Sequence, residues 1–214
     1  MSSVSYEAFF PEVLPYVHDV PEFVAVNAIR NACIEFCEKS DYIVQTLDPI
    51  TILPNVSTYE LDLPTDMILT RIIAGWVGNL PLTFKSEEDL QRIYPLDWRA
   101  MGGRPQYITQ QVPGEVIIAP YSDYRMSNGM KLIVALKPTR QSTTVDELIY
   151  QRWAEHIGFG ARARLYDTPN QPYYDPNQAV KFRAWFESAI GEAKMERNRG
   201  MTRSVTRVRP PRAI

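Results

Sequence analysis

The hydrophobic pattern changes period twice along the chain. Residues 4–14 (VSYEAFFPEVL) are apolar and aromatic, with Pro11 and Pro15 as punctuation, and they predict a short helix ending near Leu14. Asp19-Val20-Pro21-Glu22 reads as a helix start, an N-cap acid followed by proline in the first turn. The helix that follows is expected to run to about Lys39. It places Val26, Ile29, Cys33, Phe36 and Cys37 on one face.

From Tyr42 to about Leu136, proline, glycine, β-branched and aromatic residues dominate. Tyr42–Leu47, Pro49–Leu53, the alternating Thr58–Leu63 and the apolar Met67–Val77 read as strands. Gly78-Asn79 turns the chain into Leu80–Phe84, and Val112-Pro113-Gly114 joins Tyr107–Gln111 to Glu115–Ala119. Met130–Leu136 is the last strand, entered through a turn at Asn128-Gly129. A short helix capped by Ser86-Glu87-Glu88-Asp89 and reaching Ile93 interrupts the strands.

Helical spacing returns at Val145. Asp146 opens a helix with Ile149, Trp153, Ile157, Gly160, Ala161 and Arg164 along one face. Thr168–Pro176 is a linker rich in proline and aromatics. A final helix runs from about Asn177 to Arg199, with Ala179, Phe182, Phe186, Ala189, Ile190 and Ala193 inward and Gly200 as its stop.

These elements define an α+β fold. The two N-terminal and two C-terminal helices each have an apolar face too small to stand alone, so a small four-helix bundle is expected. Residues 1–41 and 142–200 then form a discontinuous helical domain. Residues 42–141 form an inserted antiparallel β-rich subdomain, and 201–214 an extended C-terminal arm.

Charge adds a feature that the pattern does not contain. The net charge is −2. Lys194–Ile214 holds seven basic residues and one acid, which leaves 16 basic and 24 acidic residues before it, a body of −8 carrying a tail of +6. Such a tail points to a partner of its own. It reads either as a solvated extension or as a docking arm. Its arginines suit bidentate pairing with carboxylate or phosphate, and Val205 and Val208 could add a strand to a partner's sheet edge. A second feature is the aromatic set Tyr166, Tyr173 and Tyr174 with Trp185. It reads equally as a rigid core plug or as an inter-subunit contact.

Candidate chemistry is sparse. The two histidines, His18 and His156, have no nucleophile elbow to serve, and no phosphate-cradling glycine motif occurs. Cys33 and Cys37 share a helix face without a second ligand pair, and the acid clusters Glu87-Glu88-Asp89 and Asp146-Glu147 sit where helices begin. No catalytic residue, metal site or cofactor is expected, and the chain reads as no enzyme. Without a run of ~20 apolar residues or a basic, apolar leader, no membrane segment is expected either, and assembly belongs in a cytoplasm.

Several segments resemble one known family. Phe10-Pro11-Glu12-Val13-Leu14-Pro15, Val20-Pro21, and Asn27 through Cys37 (NAIRNACIEFC) are similar to the opening of the head-to-tail adaptor, or connector, proteins of tailed bacteriophages. Leu47-Asp48-Pro49-Ile50, Tyr59-Glu60-Leu61 with Pro64, Ala135-Leu136-Lys137-Pro138-Thr139-Arg140 and the closing Val205 to Pro210 follow in the same order. The resemblance implies a virion structural protein at the head-to-tail junction. It forms a homo-oligomeric ring, usually of twelve subunits, beneath the portal protein. A tail tube or nozzle protein attaches below, and DNA passes through the lumen without sequence-specific binding. Carried over by position, the portal-docking arm comprises Arg203, Val205, Arg207, Val208, Arg209 and Arg212. Two other readings stay open: a tail-completion or stopper ring protein, and a nucleic-acid-binding module using the same arm.

Overall fold

The computed structural model describes residues 2–200. Its class is α+β. Four α-helices form: α1 (Glu22–Ser40), α2 (Glu87–Ile93), α3 (Glu147–Tyr166) and α4 (Pro176–Arg199). The strands are β1 (Ser3–Ser5), β2 (Ile43–Thr46), β3 (Ile50–Ile52), β4 (Thr58–Glu60), β5 (Met67–Val77), β6 (Leu80–Pro81), β7 (Thr83–Phe84), β8 (Gly102–Gly103), β9 (Tyr107–Thr109), β10 (Glu115–Ala119), β11 (Tyr121–Ser122), β12 (Met126–Pro138) and β13 (Thr144–Asp146). They divide between two compact units. One holds the described residues up to Tyr42 and from Arg140 onward; the other is Ile43–Thr139.

The expected four-helix bundle does not form. The first segment is a 3-10 helix over Tyr6–Glu12 with Pro11 inside it, and a helix of that type rarely extends beyond a few residues. The strand β1 before it pairs antiparallel with β13, Val4 opposite Val145. Three α-helices and this pair of short strands therefore build the helical unit. The 3-10 helix lies so close to α3 that a Cβ on Gly158 would meet Glu12 Cβ at 2.8 Å.

Helix ends follow local chemistry. Asp146 accepts from Leu148 N at 2.8 Å, and Asp175 accepts from Asn177 N and Gln178 N at 3.0 and 3.1 Å. Pro176 occupies the first turn of α4. At α1 the expected cap at Asp19 is corrected: Asp19 takes a left-handed φ of 60°, and Pro21 is the N-cap without a side-chain bond. Asp41 closes α1 in the left-handed conformation.

The core of the helical unit is aromatic. Phe36, fully buried on α1, meets Trp153 at 5.3 Å, Tyr42 at 5.9 Å and Phe186 at 6.4 Å between ring centroids. Close approach of α3 and α4 depends on Gly160, where a Cβ would fall 2.8 Å from the Phe186 ring. Cys33 and Cys37 are fully buried in this core and are not joined in a disulfide. Tyr6, also buried, shares a 2.7 Å hydrogen bond with Ser142.

The β-rich unit is not one antiparallel sheet. β12 is its centre, pairing antiparallel with β2, β3 and β5, while β6 extends β5. A second sheet runs β4-β10-β9-β7 and a third pairs β11 with β8. The β7–β9 and β11–β8 pairs are parallel, which corrects the all-antiparallel expectation. At Asn128-Gly129 the chain does not turn. Asn128 takes φ 51° inside β12, where the register against β3 shifts, and the strand continues through a bulge. Leu90 on α2 packs with Trp98, Ile117 and Ala119 in a small separate core.

Candidate functional site

The helical unit carries one concentrated aromatic and cationic surface. On α3, Phe159, Arg162 and Tyr166 recur at spacings of three and four and so share a face. On α4, Lys181, Phe182 and Trp185 meet them. Tyr16 closes the cluster from the turn after the 3-10 helix.

Arg162 is the centre. It is only 4% exposed, and its guanidinium carbon lies 4.1 Å from the Tyr16 ring, 4.7 Å from Phe182 and 5.0 Å from Phe159. Its Nε donates to Gly158 O at 3.3 Å. Burial lowers its pKa, against the opposing pull of Tyr16, Glu12, Tyr166 and Glu155. The side chain stays charged, because an arginine does not give up its proton in a protein. Three ring faces replace part of its lost hydration.

Tyr166 and Trp185 flank the same ring. Tyr166 stacks on Phe182 at 5.8 Å with planes 10° apart, and its hydroxyl donates to Tyr16 O at 2.6 Å. Burial raises its pKa, although Arg162 pulls the other way. Trp185 stands edge-on to Phe159 and Phe182 at 5.2 and 5.4 Å, with Lys181 Nζ 4.7 Å from its ring. Trp185 remains 44% exposed and Tyr16 53%.

Tyr173 and Tyr174 do not join this cluster among the described residues. Tyr173 is buried, whereas Tyr174 is 46% exposed. The same aromatic set thus contains both a buried and an exposed residue. Arg203, Val205, Arg207, Val208, Arg209 and Arg212 lie outside the described residues.

Beside the cluster, Glu35 ties the three helices together. Lys39 approaches it at 2.6 Å, Arg183 binds it through two hydrogen bonds at 2.6 and 3.0 Å, and Arg164 makes a further ion pair with it. Burial alone would raise the Glu35 carboxyl. The hydrogen bonds from Lys39, Arg164 and Arg183 outweigh it and hold the pKa at about 2.

Sequence reading missed Arg162, because a charged residue inside a helix ordinarily faces solvent. Its one legible signal was the i, i+4 spacing of Arg162 and Tyr166 beside Phe159. His156 lies edge-on between Trp153 and Phe159, at 5.2 and 5.6 Å, as a packing group.

Residues 6–211 match the SU10 adaptor protein family. The chain belongs to that family. The matched span includes Arg203 to Arg209 of the basic segment and stops one residue short of Arg212. No curated protein matches the chain. An adaptor is a virion component of a bacteriophage, and its family is one of structural proteins. No helix among the described residues is long and apolar enough to cross a membrane.

Proposed function

We propose that the chain is the head-to-tail adaptor of a bacteriophage and acts without catalysis. It forms a ring of twelve copies, docks on the portal protein through its C-terminal arm, and offers the opposite side to a tail tube or nozzle protein. DNA passes through the lumen without sequence-specific contact. The arm is Arg203, Val205, Arg207, Val208, Arg209 and Arg212, acting as arginine contacts with two strand-pairing valines. Tyr166, Tyr173, Tyr174 and Trp185 serve contacts between neighbouring copies.

The family match over residues 6–211 carries this reading. Two features support it. The body before Lys194 is net −8, which suits a channel that must release phosphates rather than grip them. A tail of +6 repeated around a ring gains strength by avidity even where one arm binds weakly.

The test is to mix the purified chain with the portal protein of the same phage and image the product by electron microscopy. An ordered ring on the narrow end of the portal is the expected result. A ring that seats only on a preassembled adaptor-like layer assigns the chain to a stopper position instead. Binding to free duplex DNA that falls steeply with salt, with no ring on portals, assigns it to nucleic-acid binding.

A further inference from the structure

An apolar tip and an apolar groove lie at separate places on the β-rich unit. After α2 the chain runs Tyr94-Pro95-Leu96-Asp97-Trp98. Leu96 is 96% exposed, the most exposed large hydrophobic side chain among the described residues. The flanks of this tip are anchored: Gln91 Nε2 donates to Pro95 O at 3.1 Å. Trp98, two residues on, is 2% exposed in the core with Leu90, Ile117 and Ala119. Arg99 stacks on Trp98 at 4.7 Å and pairs with Glu87 at 2.6 Å. A single exposed leucine is ordinary, but here Ile93, 40% exposed, and the exposed Pro95 precede it, so the loop presents an apolar run to water.

The groove is built from chain on both sides of α2. It is an open depression of about 570 Å³ between β5, β7 and β9. Ile72, Ile73 and Phe84 line it above the buried Ile108, and Phe84 is 45% exposed. Arg71 and Lys85 sit on its rim. The groove does not hold its own Leu96, which stays in solvent. Charge favours a match between copies, since Asp97 flanks the tip and Lys85 flanks the groove.

We infer that the Tyr94–Asp97 tip of one copy seats Leu96 in the Ile72–Ile73–Phe84 groove of the next copy. The contact joins two different patches of one surface. Such a head-to-tail contact propagates and closes into a ring when the rotation allows, whereas a like-with-like contact stops at two. The inference rests on the proposed ring and assigns it a specific joint, with Asp97 and Lys85 setting the direction.

Cysteine pairing tests it. Leu96→Cys and Phe84→Cys are placed together in the full-length chain, assembled on portals and mildly oxidised. Both sites are exposed, and the native thiols Cys33 and Cys37 are fully buried. The expected result is a ladder of covalent dimers and higher multimers on a non-reducing gel, absent from either single variant. Asp97→Lys should weaken ring formation at least several-fold, and adding Lys85→Asp should restore it. Rings that form normally without a ladder overturn this joint and leave the adaptor reading intact. Dimers from Leu96→Cys alone overturn it by showing a two-fold contact. Portals that bear no ring with the unaltered chain overturn both readings.

Discussion

The Arg183 guanidinium clasps the Glu35 carboxylate with two hydrogen bonds, Nη2 to Oε1 at 2.6 Å and Nη1 to Oε2 at 3.0 Å. The pair joins α4 to α1, and Arg164 from α3 completes the link. Because the folded carboxyl titrates at about 2 against an ordinary 4.5, the unfolded chain takes up its proton first as pH falls. The contribution is complete above about pH 4.5 and is lost as pH falls toward 2. Discounted for its partly exposed partners, it amounts to about 2 kcal/mol. Urea unfolding across that range should show Glu35→Gln losing less stability on acidification than the unaltered chain by this amount. Parallel pH profiles would contradict the assignment.

Arg162 should matter through packing as much as through charge. Replacing it with alanine leaves a gap among Tyr16, Phe159 and Phe182 and removes three cation–ring contacts. A loss of about 2 kcal/mol is expected. Thermal unfolding by circular dichroism measures it, and a melting temperature equal to that of the unaltered chain would refute the cage.

Two glycines in helices should respond with opposite sign. Alanine is ordinarily better than glycine inside a helix by about 1 kcal/mol. At Gly191 an added Cβ meets nothing within 4 Å, so Gly191→Ala should stabilise. At Gly160 it meets the Phe186 ring at 2.8 to 2.9 Å, so Gly160→Ala should destabilise by about 1–3 kcal/mol. Denaturant midpoints of the two variants measured side by side decide the matter.

Trp185 separates folding from assembly. Its contacts with Phe159 and Phe182 are within one copy, yet 44% of it is exposed. Trp185→Glu should cost about 1 kcal/mol in the isolated chain, the scale of an aromatic pair. Its effect on ring formation should be far larger. Sedimentation of the variant with portals reads the second effect, and unimpaired rings would remove Trp185 from the interface.

The long helices were legible because one apolar stripe of period 3.6 runs through each. Asp146 as a cap and Phe182, Phe186 and Ile190 as an inner face could be read directly from spacing. The cap of α4 was also present in the sequence as Asp175 before Pro176, although a proline- and tyrosine-rich stretch reads first as linker. What failed was long-range pairing. Ser3–Ser5 finds Thr144–Asp146 across 141 residues of chain, and no local pattern announces that partner. Removing those residues from a helix, and tightening the next turn around Pro11, is what replaces the expected bundle. The candidate surface was half legible. Tyr166 and Trp185 stand out as aromatics, but they converge only because Phe182 lies between them, and the spacing that puts Arg162 on the face of Tyr166 does not announce its burial against Phe182 and Tyr16.

Attachment of the chain to portals with and without residues 202–214 tests the central claim most directly. Co-sedimentation with purified portal particles should recover the full-length chain and lose the truncated one, while far-ultraviolet circular dichroism of the two stays the same. A truncated chain that sediments with portals as well as the full-length chain would contradict the account.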